Sequence, residues 1–208
     1  TAFIDLLQNR EYSLHDRLVN VLSASAEIQY ALDEEDTEEI KAIAQELSHP
    51  EIIAERVESL KKALPEKPLE NAENMLSYLE RLDFIGDILP QQIKDASRFV
   101  KKLSAPLKAQ TSGEYEKLAV YFVYRYFLKA VRDFDLMSKI KAMIVFVFAA
   151  EVINLSREQD AHARFETVKE LCKEIEYSGD NMDRIYDDSY LSDIFSDTSM
   201  LALLEWTL

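Results

Sequence analysis

The chain has 208 residues, room for one domain or two small ones, and its 24 Lys+Arg against 39 Asp+Glu leave a net charge of −15, which argues against nucleic acid as a partner. With 3 Gly in the whole sequence, Gly-rich phosphate loops and the turn supply of a β-sandwich are both excluded. Cys172 is the 1 Cys present, so an internal disulfide framework, a thiolate zinc site or an iron–sulfur cluster held by this chain alone is ruled out.

Residues 2–9 read as a short helix. Ser13, with Asp16 three residues on, then supplies an N-cap in a capping-box variant. Leu18, Val21, Leu22, Ile28 and Leu32 carry a helical face to the acidic stop at 33–36, and Thr37 is expected to cap the next helix. His49-Pro50 opens a fourth, proline being tolerated in a first turn. Pro65 and Pro68 mark the expected linker, dividing an N-terminal helical subdomain at 1–64 from a helical core subdomain at 69–208, the two expected to pack as one unit.

Helical signals resume at 69–82 and again at 89–103, where Pro90 sits in the first turn; Pro106 and 111–113 break the chain next. The segments 114–132 and 134–155 are the most hydrophobic. Their β-branched and aromatic content suggests strands, but their length and flanking Lys and Glu favour buried helices, expected to form a central pair. Ser156 is expected to cap a long helix running to Tyr177, Gly179 to end it, and Asp180 to cap a shorter one. The last stretch, 174–208, holds nine acids and one base, a net of −8, yet Ile194, Phe195, Leu201 and Trp206 give it anchors with which to dock. The expectation is an all-α fold, an orthogonal or bundle-like array of about eight or nine helices.

The longest uncharged apolar run is 142–150, far below the roughly 20 residues of a membrane helix. No basic-then-apolar leader opens the chain, so a cytoplasmic protein without membrane contact is expected. Metal chemistry has little support. Glu158 and His162 make one i,i+4 pair, the three histidines stand on different segments, and the Asp183–Asp193 carboxylates have no second acidic motif to face. Cys172, beside Val168 and Leu171, reads as a buried thiol rather than a nucleophile.

Arg125 is more informative. Tyr124 and Tyr126 flank it inside an apolar run, so its guanidinium must find a partner or reach water. A hairpin of the two hydrophobic helices offers it no carboxylate, which leaves Glu174 or Glu176 as candidates; the same hairpin places Glu151 near Lys117. Tyr115, Tyr121, Tyr124 and Tyr126 read first as core residues.

Three stretches resemble one family. Ser13-Leu-His-Asp-Arg-Leu18 with Ala26-Glu-Ile-Gln29, the aromatic Tyr121–Ala130 helix with Asp133-Phe-Asp-Leu136, and Glu174-Ile-Glu-Tyr-Ser178 with Asp180-Asn181 look like, in order, segments of the flagellin lysine-N-methylase type. The similarity covers roughly 13–187. That resemblance implies a C-terminal helical domain contributing substrate or cofactor contacts to methyl transfer from S-adenosylmethionine onto lysines of flagellin, and not active alone. It also implies a cysteine cluster holding iron and sulfur, expected only in a region before Thr1, and a chain opening without Met agrees with a start after it. Tyr177 stands where the family is expected to have His. Methyl transfer needs a neutral amine, which a carboxylate-lined slot secures. The pocket candidates under the resemblance are Arg125, Tyr121, Tyr124, Glu174, Glu176, Tyr177, Ser178 and Asn181. A reading from another class is a non-catalytic helical interaction module using an acidic face to hold a basic partner.

Overall fold

The computed structural model describes residues 2–63, 67–108, 113–157 and 160–206. Among them the chain is helical with no strand: α1 Ala2–Gln8, α2 Leu14–Asp33, α3 Thr37–Glu46, α4 Pro50–Ala63, α5 Pro68–Leu79, α6 Ile88–Val100, α7 Gly113–Asp133, α8 Met137–Arg157, α9 Ala161–Leu171, a π-helical turn Cys172–Glu176, α10 Gly179–Leu191, a 3-10 turn Asp193–Phe195 and α11 Asp197–Leu204. The α-helices number eleven among the described residues, more than the eight or nine expected, and α11 lies in the acidic end, where the sequence showed apolar anchors but no helix signal. The proline break at residues 65–66, the break at 111–112 and Glu158 of the Glu158–His162 pair fall outside the described residues.

One helix holds the centre. Every residue of α8 from Met137 to Asn154 is buried, and α2, α6, α7, α9, α10 and α11 pack around it, as a helix apolar on all faces demands. Its two lysines lie near its start and are paired: Lys139 with Asp133 and Asp135, both at 2.8 Å, and Lys141 with Asp197 at 3.4 Å and the Ser189 carbonyl at 3.2 Å. The second member of the expected central pair behaves differently. α7 buries Tyr115, Leu118, Ala119, Phe122, Val123 and Tyr126 but exposes Tyr124, Arg125 and Leu128. Aromatic residues made that sequence look apolar all round; tyrosine is amphipathic enough to stand on either side.

Local signals were off by one to four residues where several capping residues compete. Ser13 does accept from the Asp16 N–H at 3.0 Å. At α3 the cap is Asp36 rather than Thr37, since its carboxylate accepts from both the Glu38 and Glu39 N–H groups. Ser156 lies inside α8, and Asp160 caps α9. Gly179 begins α10 rather than ending the previous helix, and Ser178 caps it in place of Asp180. The acidic end docks: Phe195 and Trp206 are fully buried, and Trp206 packs edge-on against Phe148 of α8. His15 is buried between Asp16 and Glu205.

Two brackets hold α7 and α8 in place. Gln29 of α2 donates to the Phe134 carbonyl at 2.8 Å and accepts from the Leu136 N–H at 2.7 Å. It thereby clamps the α7–α8 link, where Phe134 adopts a φ of 55°, a left-handed conformation costly for a bulky residue unless its surroundings hold it. At the other end of α7, buried Arg17 pairs with Glu116 at 2.8 Å and also bonds the Leu7 and Ser13 carbonyls.

Candidate functional site

The site is built by a defect in a helix. α9 runs regularly to Leu171 and then widens by one residue, so that the Tyr177 N–H donates to the Cys172 carbonyl five residues back, at 2.9 Å. Single π turns inside α-helical segments are frequent at functional sites. Here the extra residue turns Glu174, Ile175 and Glu176 inward together. Two carboxylates two residues apart thus enter the protein and go to separate tasks.

Glu176 goes to α7. Its Oε1 accepts from the Tyr121 hydroxyl at 2.5 Å and the Tyr126 hydroxyl at 2.7 Å, and stands 3.1 Å from Arg125 Nε. The carboxylate side chain is 0% exposed whereas Arg125 is 45% exposed. Arg125 also donates to the Tyr126 hydroxyl. Its guanidinium carbon lies 5.8 Å from the Tyr121 ring centre and 5.6 Å from those of Tyr126 and Tyr177, within cation–π range of three faces. Glu176 Oε2 is buried and has no nitrogen or oxygen donor among the described residues. Burial, then the Glu176 carboxylate, pushes the Tyr126 phenol up to about 12 and raises Tyr121 further. Both therefore stay protonated and serve the carboxylate as donors. Burial foremost, then a hydrogen bond to the Glu176 carboxylate, also raises the Cys172 thiol, so the residue is no thiolate nucleophile.

Glu174 goes to the loop before α6. Its Oε2 accepts from the Ile85 N–H at 2.7 Å and the Gly86 N–H at 3.2 Å, while Oε1 pairs with Lys173 at 3.0 Å. Lys173 first, and these amides next, hold its carboxyl below the ordinary range. Gly86 is required by closeness, because a Cβ there would stand 3.0 Å from Glu174 Oε1. Asn181 completes the bracket, donating to the Asp83 and Glu174 carbonyls at 2.7 and 3.0 Å and accepting from the Asp83 N–H at 3.0 Å.

Beside the Glu176 cluster runs an open groove of about 800 Å³ between α7 and α9, with Leu118, Tyr121, Phe165 and Val168 among its apolar lining. Lys117, Arg164, Lys169 and Lys173 give it a cationic border, and Glu114 is the one acid among its described lining residues. Arg164 holds Glu114 from two nitrogens, at 2.7 and 2.9 Å. Tyr121 and Tyr177 belong to both groove and cluster. Arg125 follows Tyr121 by one turn of α7, so the cluster closes one end of the groove.

The three stretches singled out in the sequence therefore meet in space: Arg17 and Gln29 secure the two ends of α7, and the closing stretch delivers Glu176 to its middle. A family model for the FliB lysine N-methylase C-terminal domain matches residues 1–203. The chain belongs to that family. Comparisons with curated proteins and with solved structures find no match.

In this FliB C-terminal domain the candidate residues separate into groups. Arg125, Tyr121, Glu176 and Tyr177 come together, and of the two carboxylates considered for Arg125 the partner is Glu176. Glu174, Ser178 and Asn181 form the bracket behind them. Tyr124 stands 74% exposed on the outer side of α7. Glu151 is fully buried, with its charge felt by Tyr115, and Lys117 is exposed, with its charge felt by Glu114. Sequence reasoning assigned Tyr126 to the core and passed over the groove residues of α9. The four cations at 117, 164, 169 and 173 were visible one by one, but not their convergence on one groove. No helix among the described residues is long and apolar enough to cross a membrane, and no group of three or more His, Cys, Asp or Glu is arranged for a metal.

Proposed function

We propose that this domain is the substrate-recognising part of a lysine N-methylase: the α7–α9 groove receives a segment of the protein substrate, flagellin by resemblance, and the Glu176 cluster receives its lysine. The observation that carries this is a fully buried carboxylate, with one oxygen lacking a nitrogen or oxygen donor among the described residues, at the end of an open groove. An ε-ammonium entering there finds aromatic faces for its methylenes and a carboxylate for its charge. The same carboxylate is a proton acceptor for the ammonium, whose neutral form is the nucleophile in methyl transfer. Complete catalysis is not assigned to this chain.

S-adenosylmethionine is the cofactor the resemblance implies; Glu114, the acid among the groove's described lining residues, is already held by Arg164 from two nitrogens, which favours the groove as a peptide site rather than a cofactor site. No step is derived through the cofactor. The acidic-face interaction module has less support, because cations border the concave surface.

The test is titration calorimetry of flagellin into the 208-residue chain. Binding that falls about tenfold or more when flagellin lysines are acetylated, and likewise in Glu176→Ala, supports the reading. Binding indifferent to acetylation sinks it.

A further inference from the structure

The site that would take a substrate cation is already occupied by one from its own chain. Three tyrosine faces at 5.6–5.8 Å and a carboxylate oxygen at 3.1 Å surround the Arg125 guanidinium. A structural ion pair at this depth should satisfy the buried partner completely, because each unpaired oxygen costs desolvation. Here the opposite holds. Glu176 Oε2 has no nitrogen or oxygen donor among the described residues, while Arg125 is nearly half exposed and free to turn outward into water.

The geometry points to a plugged alkylammonium site: Tyr121, Tyr126, Tyr177 and Glu176 form a cage for the ammonium of lysine and its Nε-methylated forms, and Arg125 is the displaceable occupant that keeps it closed. This rests on the lysine-recognition reading and adds a ligand preference and a gate to it. Three aromatic faces suit N-methyl groups, whose partial positive charge lies on their hydrogens. Glu176 Oε2, lacking a nitrogen or oxygen donor among the described residues, suits an ammonium that keeps an N–H. The cage therefore prefers mono- and dimethyl-lysine over the trimethylated form, which has no N–H to give. A site open only when Arg125 swings away shows an affinity reduced by the fraction of time it is open. The groove supplies the remaining contacts through which a tethered substrate competes with the plug.

The experiment is calorimetric titration of Nα-acetyl-Nε,Nε-dimethyl-lysine methylamide, and of its trimethyl counterpart, into the wild-type chain and into Arg125→Ala. Removing the plug is expected to tighten dimethyl-lysine binding about tenfold or more. Adding Tyr177→Ala to Arg125→Ala should abolish that gain, and adding Glu176→Gln should erase the preference for the dimethyl over the trimethyl probe. Arg125→Gln, which keeps a polar side chain of similar reach, serves if the alanine variant melts early. An Arg125 variant that melts like the wild type and binds the probe no better overturns the plug. If flagellin binding still depends on its lysines in that case, only this inference falls and the recognition reading stands. If neither depends on lysine, both fall.

Discussion

Two Arg–Glu pairs share α7 and differ in almost every respect that matters. Arg17–Glu116 is closed: both side chains are within 6% of full burial, and the carboxylate oxygens are shared between Arg17 and Arg10. Arg17 gives further donors to the Leu7 and Ser13 carbonyls. Arg125–Glu176 is open: one carboxylate oxygen accepts from two phenols and faces the guanidinium at 3.1 Å, the other has no nitrogen or oxygen donor among the described residues, and the cation lies against three aromatic faces, two of which, Tyr121 and Tyr177, also line the groove. The lesson is one of saturation. A buried ion pair whose every lone pair and proton is used holds a fold together, and one left half used is available to a ligand.

The comparison breaks most visibly in stability. Arg17→Ala leaves Glu116 buried without its inner partner and is expected to cost about 3–5 kcal/mol in urea unfolding; a loss under about 1 kcal/mol would show the closed pair to be incidental. Asn181→Ala, which strands the Asp83 N–H and two carbonyls, is expected to cost about 2–3 kcal/mol, measured the same way. Gly86→Ala forces Glu174 away from its amides and should cost about 1 kcal/mol. Arg125→Ala should cost no more than about 1 kcal/mol, since the guanidinium is half exposed and two phenols remain on Glu176. A cost equal to that of Arg17→Ala would place both pairs in the same class.

The pH dependence sharpens the contrast. Hydrogen bonding from Arg10 first, then from Arg17, holds the Glu116 carboxyl below the ordinary glutamate value of 4.5 in the folded state. Its stabilisation is therefore present above pH 4.5 and is lost as the pH falls through the lower folded value. Urea unfolding of Glu116→Gln should show a shallower acid loss than the wild type, from a lower starting stability. A parallel acid limb in the two proteins would remove Glu116 from the account.

Much of the fold was legible because it follows from local rules. Burying apolar residues at helical spacing, Pro50 and Pro90 in first turns, and Ser13 before α2 all act within one helical turn. The candidate site was half legible. A cation embedded in an apolar aromatic run needs an acid, and Arg125 announced that need from sequence. Which acid answers it depends on the π turn, and one extra residue in a helix has no periodic signature strong enough to read. α7 was overestimated as a core helix for a related reason, since tyrosine counts as apolar in a pattern and as polar at a surface.

Composition and periodicity by themselves pointed to an all-helical chain, with 114–132 and 134–155 as a hydrophobic pair at its centre and an acidic end carrying apolar anchors; the structure gives the heart to 137–154 alone and buries Trp206. Only the tertiary structure decided that Glu176 rather than Glu174 meets Arg125, that Gln29 and Arg17 brace the two ends of one helix, and that four scattered cations border a single groove. The physical reason is range. Helix formation is settled by neighbours a turn apart, whereas a carboxylate's partner is chosen by where packed helices bring it, and that depends on every contact of the core at once.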